Sequence, residues 1–136
     1  MQIDLGSFRK ALDSLAKGLA RSESNCNDEL LRDGVIQRFE YSYELAWKSL
    51  KRVLEAEAAS PEELDALPFR DLIRLGAEKG IIDSPEEWFS FREDQNISSH
   101  TYDEAKAVAV YAMVKRFVPA ARILLQRLEI RSVCLP

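Results

Sequence analysis

The sequence contains few cysteine, glycine and proline residues, which are abundant in disulfide-linked, collagen-like and low-complexity chains. Only two of its 136 residues are cysteines, Cys26 and Cys134, and it has no CxxC pair or Cys–His cluster. A structural zinc site therefore has no ligands to use, and two free thiols are the expected state. Glycine and proline number five each, which excludes collagen-like and low-complexity chains.

Long apolar runs and excess positive charge are also missing. No apolar stretch approaches the roughly 18 residues that a membrane helix needs, and the opening residues 1–10 lack the apolar core of a signal peptide. We therefore expect no membrane contact and a cytoplasmic location. The net charge is −4 and the pI is near 5.1. Generic electrostatic capture of DNA or RNA is not expected, although a local basic pocket is compatible with these numbers.

The hydrophobic residues that are present recur with the period of a helix. Apolar residues from Phe8 to Leu19 fall at i, i+4, i+7 and i+11 and predict a first helix, which ends at the polar residues 22–27. A second helix is predicted from near Asp28 to about Glu57. Its apolar stripe consists of Ile36, Phe39, Tyr43, Trp47, Leu50 and Leu54.

Cap sequences mark the later helices. Ser-Pro-Glu-Glu occurs at residues 60–63 and 84–87, and each copy predicts an N-cap followed by proline at the first helical position. A further helix is predicted from Phe69 to about Lys79, closed by Gly80. The second Ser-Pro-Glu-Glu helix is expected to reach about Arg92.

A break at residues 96–99 is predicted to precede the last helix. A capping box at residues 101–104 would open that helix, and Pro119 would kink it. Residues 132–136 are expected to fray. No segment alternates with period two, so we predict an all-α, antiparallel up-and-down four-helix bundle with a short extra helix. A single domain would span residues 1–136.

One residue has the chemistry of a candidate site. His100 is the only histidine, and histidine is the usual acid–base group near neutral pH. The predicted helix start after it would offer unpaired N–H groups to a phosphate, with Asn96 nearby. On spacing alone, a surface histidine with no chemical role is the commoner outcome. Asp103 and Glu104 would then be capping residues, and Tyr102 an anchor between helices.

Other constellations favour structural roles. Trp47 and Trp88 could stack a base, but their helical spacing is more typical of a core. Glu40 and Glu44 resemble the carboxylates of di-metal bundles, yet the Glu-x-x-His elements of such sites are missing. No P-loop, GxGxxG or GxSxG motif occurs, and we expect no metal or other cofactor. The strand-borne acidic pair of a nucleotidyltransferase is also missing, so the chain itself is not expected to catalyse that reaction.

Two stretches together resemble a known family. The run from Arg32 to Lys48, RDGVIQRFEYSYELAWK, and the run QNISSHTYDE from Gln95 to Glu104 are similar to the nucleotidyltransferase substrate-binding proteins, helical bundles of the HEPN superfamily. The resemblance extends from about Phe8 to Leu128. It implies a homodimer that binds a minimal nucleotidyltransferase encoded beside it.

In one branch of that family the resemblance implies a ribonuclease toxin. There the partner is an antitoxin that adds AMP to a tyrosine, and the toxin motif is an arginine, four residues, a histidine, one residue and a tyrosine. His100 matches the motif histidine and Tyr102 the modified tyrosine. The motif arginine falls on Gln95, which carries no charge to stabilise a phosphorus-centred transition state.

Three functions are compatible with a glutamine, Gln95, at the position of the motif arginine. The first is a homodimeric interaction subunit of a nucleotidyltransferase module, with ribonuclease activity weakened or lost at Gln95. The second is an active metal-independent endoribonuclease, using His100 with Arg92 or Gln95 and silenced by AMP on Tyr102. Arg92 enters because it lies three residues before Gln95, on the same helical face. The third is an accessory protein whose pocket near His100 binds a nucleotide or phosphate without cleaving RNA.

Overall fold

The structure, a computed structural model, describes residues 3–100 and 103–134, with side chains described for 3–95 and 103–134. Its regular structure is entirely helical, and no strand occurs in these ranges. The helices are α1 (Gly6–Ser24), α2 (Glu29–Glu57), α3 (Pro61–Asp65), α4 (Phe69–Glu78), α5 (Pro85–His100) and α6 (Glu104–Val133). The all-α prediction is confirmed.

The first two helices form as the sequence predicts. The apolar face of α1 is buried from Phe8 to Leu19. Asp28 caps α2, because its Oδ1 accepts hydrogen bonds from the backbone N–H groups of Leu30 at 3.0 Å and Leu31 at 3.2 Å. The i,i+4 pair of Glu44 and Lys48 is present at 3.5 Å.

Contacts along α1 and α2 show that these helices are antiparallel. The Ser42 hydroxyl donates to the backbone carbonyl of Ala11 at 3.3 Å. One turn later on α1, the carbonyl of Ser14 accepts from Arg38 at 3.1 Å, and Arg38 lies one turn before Ser42 on α2. The two helices therefore run in opposite directions.

The other long helices continue the alternation. Arg32 and Glu57, near the two ends of α2, bind Glu104 and Arg131 near the two ends of α6, so α2 and α6 are parallel. Helix α5 runs against α6: Trp88 lies beside Leu124, while the Phe91 ring packs on Phe117 at 5.2 Å. Helices α1, α2, α5 and α6 therefore alternate in direction, as in an up-and-down bundle.

The core is contributed by all four long helices and is strongly aromatic at its centre. The Phe117 ring meets Phe39, Trp88 and Phe91 edge to face, at centroid distances of 5.0, 5.9 and 5.2 Å. Trp88 is buried, as its helical spacing predicted, whereas Trp47 is only half-buried.

Two shorter helices, α3 and α4, lie between α2 and α5, where the sequence predicted them. Helix α4 ends just before Gly80, which has a φ of 77°. The backbone N–H of Ile81 then donates to the carbonyl of Gly76 at 2.9 Å, a Schellman-like ending that confirms the prediction at Gly80. Pro61 begins α3, but the Ser60 side chain makes no capping bond and lies 3.3 Å from a Glu62 oxygen.

Two predicted boundaries differ from the structure. Residues 96–99 are not a break, because α5 continues to His100. The polar run there contains no proline or glycine, so nothing in it stops a helix already packed on α2 and α6. Helix α6 begins at Glu104, the last residue of the predicted capping box; the first two residues of that box lie outside the described residues. Its N-cap is Asp103, whose carboxylate accepts from the Lys106 N–H at 3.2 Å.

The last described residues belong to α6. This helix runs to Val133, and the buried Ser132 hydroxyl accepts from the Ile3 N–H at 2.9 Å. The fraying expected over residues 132–136 stays a prediction, and residues 135–136 lie outside the described residues. Pro119 lies inside α6, and the kink predicted there stays a prediction. Cys26 and Cys134 are free and exposed. No helix in the described ranges is both long enough and apolar enough to cross a membrane.

Candidate functional site

The C-terminal half of α5 is attached to α2 through Gln95. Gln95 is buried, and its Nε2 donates to a Glu44 carboxylate oxygen at 2.8 Å. Glu44 also pairs with Lys48 one turn along α2. The neutral amide is therefore engaged with a carboxylate at the position where the motif arginine was expected.

Arg92 stacks on an aromatic ring. Its guanidinium carbon lies 4.1 Å from the centroid of Phe69, at the start of α4. The Phe69 ring in turn meets the half-buried Trp47 edge to face at 5.9 Å. Residues of α2, α4 and α5 thus form one continuous cluster around Arg92 and Gln95.

Beneath this cluster lies a buried hydroxyl without a partner. Among the described side chains, Tyr43 Oη is fully buried and makes no hydrogen bond. Burial raises the pKa of Tyr43 well above its ordinary value, partly opposed by the charge of Arg92 and reinforced by that of Glu44. The Tyr43 ring stacks on Trp88 at a centroid distance of 6.2 Å.

The other flank of the motif is held by an ion pair. Arg32 donates to both carboxylate oxygens of Glu104, at 2.6 and 3.1 Å, and also contacts Asp33. The hydrogen bond from Arg32 lowers the pKa of Glu104. Gln95 and Glu104 therefore both bind α2. The α2 residues that they contact, Glu44 and Arg32, are about 18 Å apart along the helix axis at a rise of ~1.5 Å per residue.

Asp94 adds a second perturbed acid near the site. Burial raises the pKa of Asp94, and the nearby charge of Arg116 on α6 opposes that rise. Within the described side chains, no three or more His, Cys, Asp or Glu residues are grouped so that they could hold a metal ion.

The predicted site residues are only partly placed. Gln95 and Arg92 lie on α5, with Arg92 turned to Phe69 and Gln95 to Glu44. The backbones of Asn96 and His100 belong to α5, but their side chains, and all of Tyr102, lie outside the described residues. His100 ends α5 and does not adjoin the first residue of α6.

Sequence reasoning missed two contributors to the site. Glu44 was weighed only as a possible metal ligand, and Phe69 only as a helix start. The period of α2 places Glu44 one turn before Lys48, on the same helical face, but no signal in the sequence pairs it with α5. The Phe69–Arg92 contact likewise joins helices that are adjacent only in three dimensions.

Comparison with known proteins identifies the family. A profile described as "Nucleotidyltransferase substrate binding protein like" matches residues 3–130. The chain belongs to this family. A relative from Haemophilus influenzae, named a probable ribonuclease HepT, is 39% identical over 99 residues, which cover 73% of this chain and 68% of that protein.

Solved structures agree with the family and the fold. A Haemophilus influenzae protein, described as revealing the fold of a substrate-binding domain of a nucleotidyltransferase, superposes with a TM-score of 0.86 and 32% identity. The match covers 92% of this chain and 98% of that one. A protein from Thermus thermophilus gives a TM-score of 0.72 and 28% identity, covering 89% of this chain and 98% of that one. The family resemblance seen in the sequence is thereby confirmed for the nucleotidyltransferase substrate-binding proteins.

Proposed function

We propose that this protein is the helical subunit of a two-component module, in which it forms a homodimer and binds a minimal nucleotidyltransferase. Its ribonuclease activity is weakened or lost, because Gln95 occupies the position of the motif arginine. Membership of the nucleotidyltransferase substrate-binding family supports the partnership. The name of the Haemophilus relative supports a ribonuclease ancestry.

The contact between Gln95 and Glu44 carries the proposal. In metal-free RNA cleavage, a histidine moves protons at the 2′-hydroxyl or the leaving oxygen, and an arginine stabilises charge on the phosphate. A buried amide bound to Glu44 brings no positive charge to that phosphate. Loss of one stabilising donor typically costs about 10²–10³ in rate. Arg92, stacked on Phe69, does not fill the Gln95 position either.

A growth assay tests the loss of activity. The protein is expressed alone in bacteria, beside Gln95→Arg and the double variant Gln95→Arg/His100→Ala. We expect the parent to be harmless and Gln95→Arg to inhibit growth, since Glu44 offers a counter-charge for the new guanidinium. The added His100→Ala change should remove that inhibition. Toxicity of the parent that disappears with His100→Ala alone would overturn the proposal.

The partnership is tested separately. The neighbouring gene is expected to encode a minimal nucleotidyltransferase, and co-purification should yield a complex of the two proteins. Light scattering of the protein alone, at a concentration of tens of micromolar, should give the mass of a dimer. A monomer, or the lack of such a neighbour, would count against this part.

The second candidate is an active endoribonuclease, and the Haemophilus relative's name favours it. It would use His100 with Arg92 or Gln95 and be silenced by AMP on Tyr102. Mass spectrometry of the Tyr102 peptide after co-expression with the partner decides the silencing step. A mass increase equal to AMP supports it, and an unmodified peptide removes it. A third role, nucleotide binding near Asn96 and His100 without cleavage, is tested by calorimetric titration with ATP.

A further inference from the structure

Two arginines on neighbouring helices each lie over an aromatic ring of the other helix. Arg70 of α4 lies over Phe89 of α5, with its guanidinium carbon 4.5 Å from the ring centroid. Arg92 of α5 lies over Phe69 of α4 at 4.1 Å. We call these four residues the arginine face. A cation–π contact uses no N–H donor in a conventional hydrogen bond, so the donors of both guanidinium groups remain available to a ligand.

These two arginines have no acidic partner. Within the described part of the chain, neither Arg70 nor Arg92 donates a hydrogen bond or forms an ion pair. Five other arginines form ion pairs with carboxylates on other helices or loops or on a neighbouring residue, namely Arg9, Arg32, Arg122, Arg127 and Arg131. Arg38 and Arg52 instead donate to backbone carbonyls. Arg74 also lies over Phe89, at 5.6 Å, but it is 3.6 Å from Asp71. The arginine face thus holds two uncompensated cations on an acidic protein.

The arginine face is continuous with the candidate site. Arg92 lies three residues before Gln95 and therefore on the same side of α5. Phe69 contacts Trp47, which lies one turn after Glu44, the residue that binds Gln95. A ligand bound along this face would therefore lie close to Gln95.

The chemistry of the face fits a single-stranded nucleic acid. Guanidinium edges bind phosphate oxygens in pairs. Half-buried rings and the outer planes of stacked guanidinium groups also accept unpaired bases. An acidic protein surface would use the charges but would have no need of the stacking planes.

We propose that the arginine face binds the backbone of single-stranded RNA and leads the strand to Gln95, the position of the motif arginine. The inference rests on the proposed function only in taking RNA as the ancestral ligand of that motif. RNA binding here does not require that cleavage survive.

Fluorescence anisotropy with a labelled oligouridine of about 12 nucleotides tests the proposal, a length in the range of one binding site. All proteins carry His100→Ala, so that no cleavage disturbs the measurement. In Arg70→Gln/Arg92→Gln, we expect binding to weaken about tenfold or more at low salt. The slope of log K against log salt should fall by about 1.4, since each single-strand phosphate contact contributes about 0.7.

The matched control is Arg9→Gln/Arg122→Gln. It removes the same two charges, but from arginines that pair with Glu129 and Asp13 on the opposite side of the bundle. It should bind RNA like the parent. A second variant, Arg70→Lys/Arg92→Lys, keeps both charges and should retain the salt slope with a weaker affinity, because lysine lacks the planar edge.

Three results would overturn the proposal: no RNA binding by the parent, an equal loss in the control, or unchanged binding when Arg70 and Arg92 are replaced. Loss of the nucleotidyltransferase complex in that variant, with RNA binding intact, would assign the face to the protein partner instead. Failure of the proposed module appears differently, as the lack of any complex with the partner while the RNA result stands.

Discussion

The buried hydroxyl of Tyr43 is expected to lower the free energy of unfolding. It has lost its hydration and has gained no hydrogen bond among the described residues. We predict that Tyr43→Phe leaves the free energy of unfolding unchanged or raises it by about 1 kcal/mol, because an unsatisfied buried polar group is removed. Urea unfolding followed by circular dichroism measures the change.

Tyr111→Phe is the control for that experiment. The Tyr111 hydroxyl lies 3.0 Å from the Ser22 hydroxyl, so the same chemical change here breaks a hydrogen bond. We expect a loss of about 1 kcal/mol. A comparable loss in Tyr43→Phe would mean that the Tyr43 hydroxyl has a partner in solution.

The ion pair of Arg32 and Glu104 makes a pH-dependent contribution. The pKa of Glu104 is lowered by the hydrogen bond from Arg32 in the folded state. A group with a depressed folded pKa stabilises above its unfolded pKa, and that stabilisation is lost as pH falls through the folded value. Glu104→Gln should therefore lower the urea midpoint at pH 7, and its effect should disappear at an acidic pH below the lowered pKa of Glu104.

Glu23→Gln serves as the matched control. Glu23 is exposed and has no ion pair among the described residues. Its replacement should leave the urea midpoint nearly unchanged at both pH values. A Glu104→Gln effect that persists undiminished in acid would show that the side chain acts by packing and not by its charge.

Single residues of the site were predictable only where a sequence pattern names them. Gln95, His100 and Tyr102 were selected because the spacing of the motif resembles that of a family. Glu44 and Phe69 could not be selected in this way. Glu44 contacts Gln95, which lies 51 residues later in the sequence, and Phe69 of α4 contacts Arg92 of α5. Such pairings depend on how helices pack, which local periodicity does not encode.

Two glycines give opposite predictions at the scale of the helix. Gly34 lies in α2, and a Cβ added there would meet nothing within 4 Å. Gly34→Ala should raise the free energy of unfolding by about 0.5–1 kcal/mol, since glycine is costly inside a helix. Gly80 also has open space but a φ of +77°. Gly80→Ala should lower the same quantity by about 1 kcal/mol, because an L residue is strained there.

Both variants are compared in one urea titration series. Steric clash is absent at either position, so backbone conformation alone sets the sign. Changes of the same sign in the two variants would contradict the structure of α2 or of the α4 ending.

Helix boundaries were predictable where a cap is chemically distinct. Asp28 and Gly80 mark their boundaries because a carboxylate cap and a left-handed residue have few substitutes. The end of α5 was missed, because residues 96–99 are merely poor helix formers. Weak propensity is overridden when the helix packs against its neighbours, and α5 packs on both α2 and α6.

The fold of the whole molecule was the most predictable level. Four long amphipathic segments with short connections leave few arrangements other than an up-and-down bundle. The separate helix predicted from Phe69 to about Lys79 is present as α4. Periodicity could not reveal that α4 carries Phe69 and Arg70 against α5.

The hydrogen bond between Ile3 and Ser132 joins the first and last described segments of the chain, so we expect the fold to tolerate a different order of its helices in the sequence. These residues lie near opposite ends of the 136-residue chain, yet the Ser132 hydroxyl is 2.9 Å from the Ile3 nitrogen. A circular permutant can therefore join the two ends through a short glycine–serine linker and open between Ala59 and Ser60. We expect it to regain the helical circular dichroism of the parent, and a molten or aggregated product would contradict this. The new ends would follow Glu57, at the opposite end of α2 from Arg32, so they also provide attachment points that do not obstruct the Arg32–Glu104 contact.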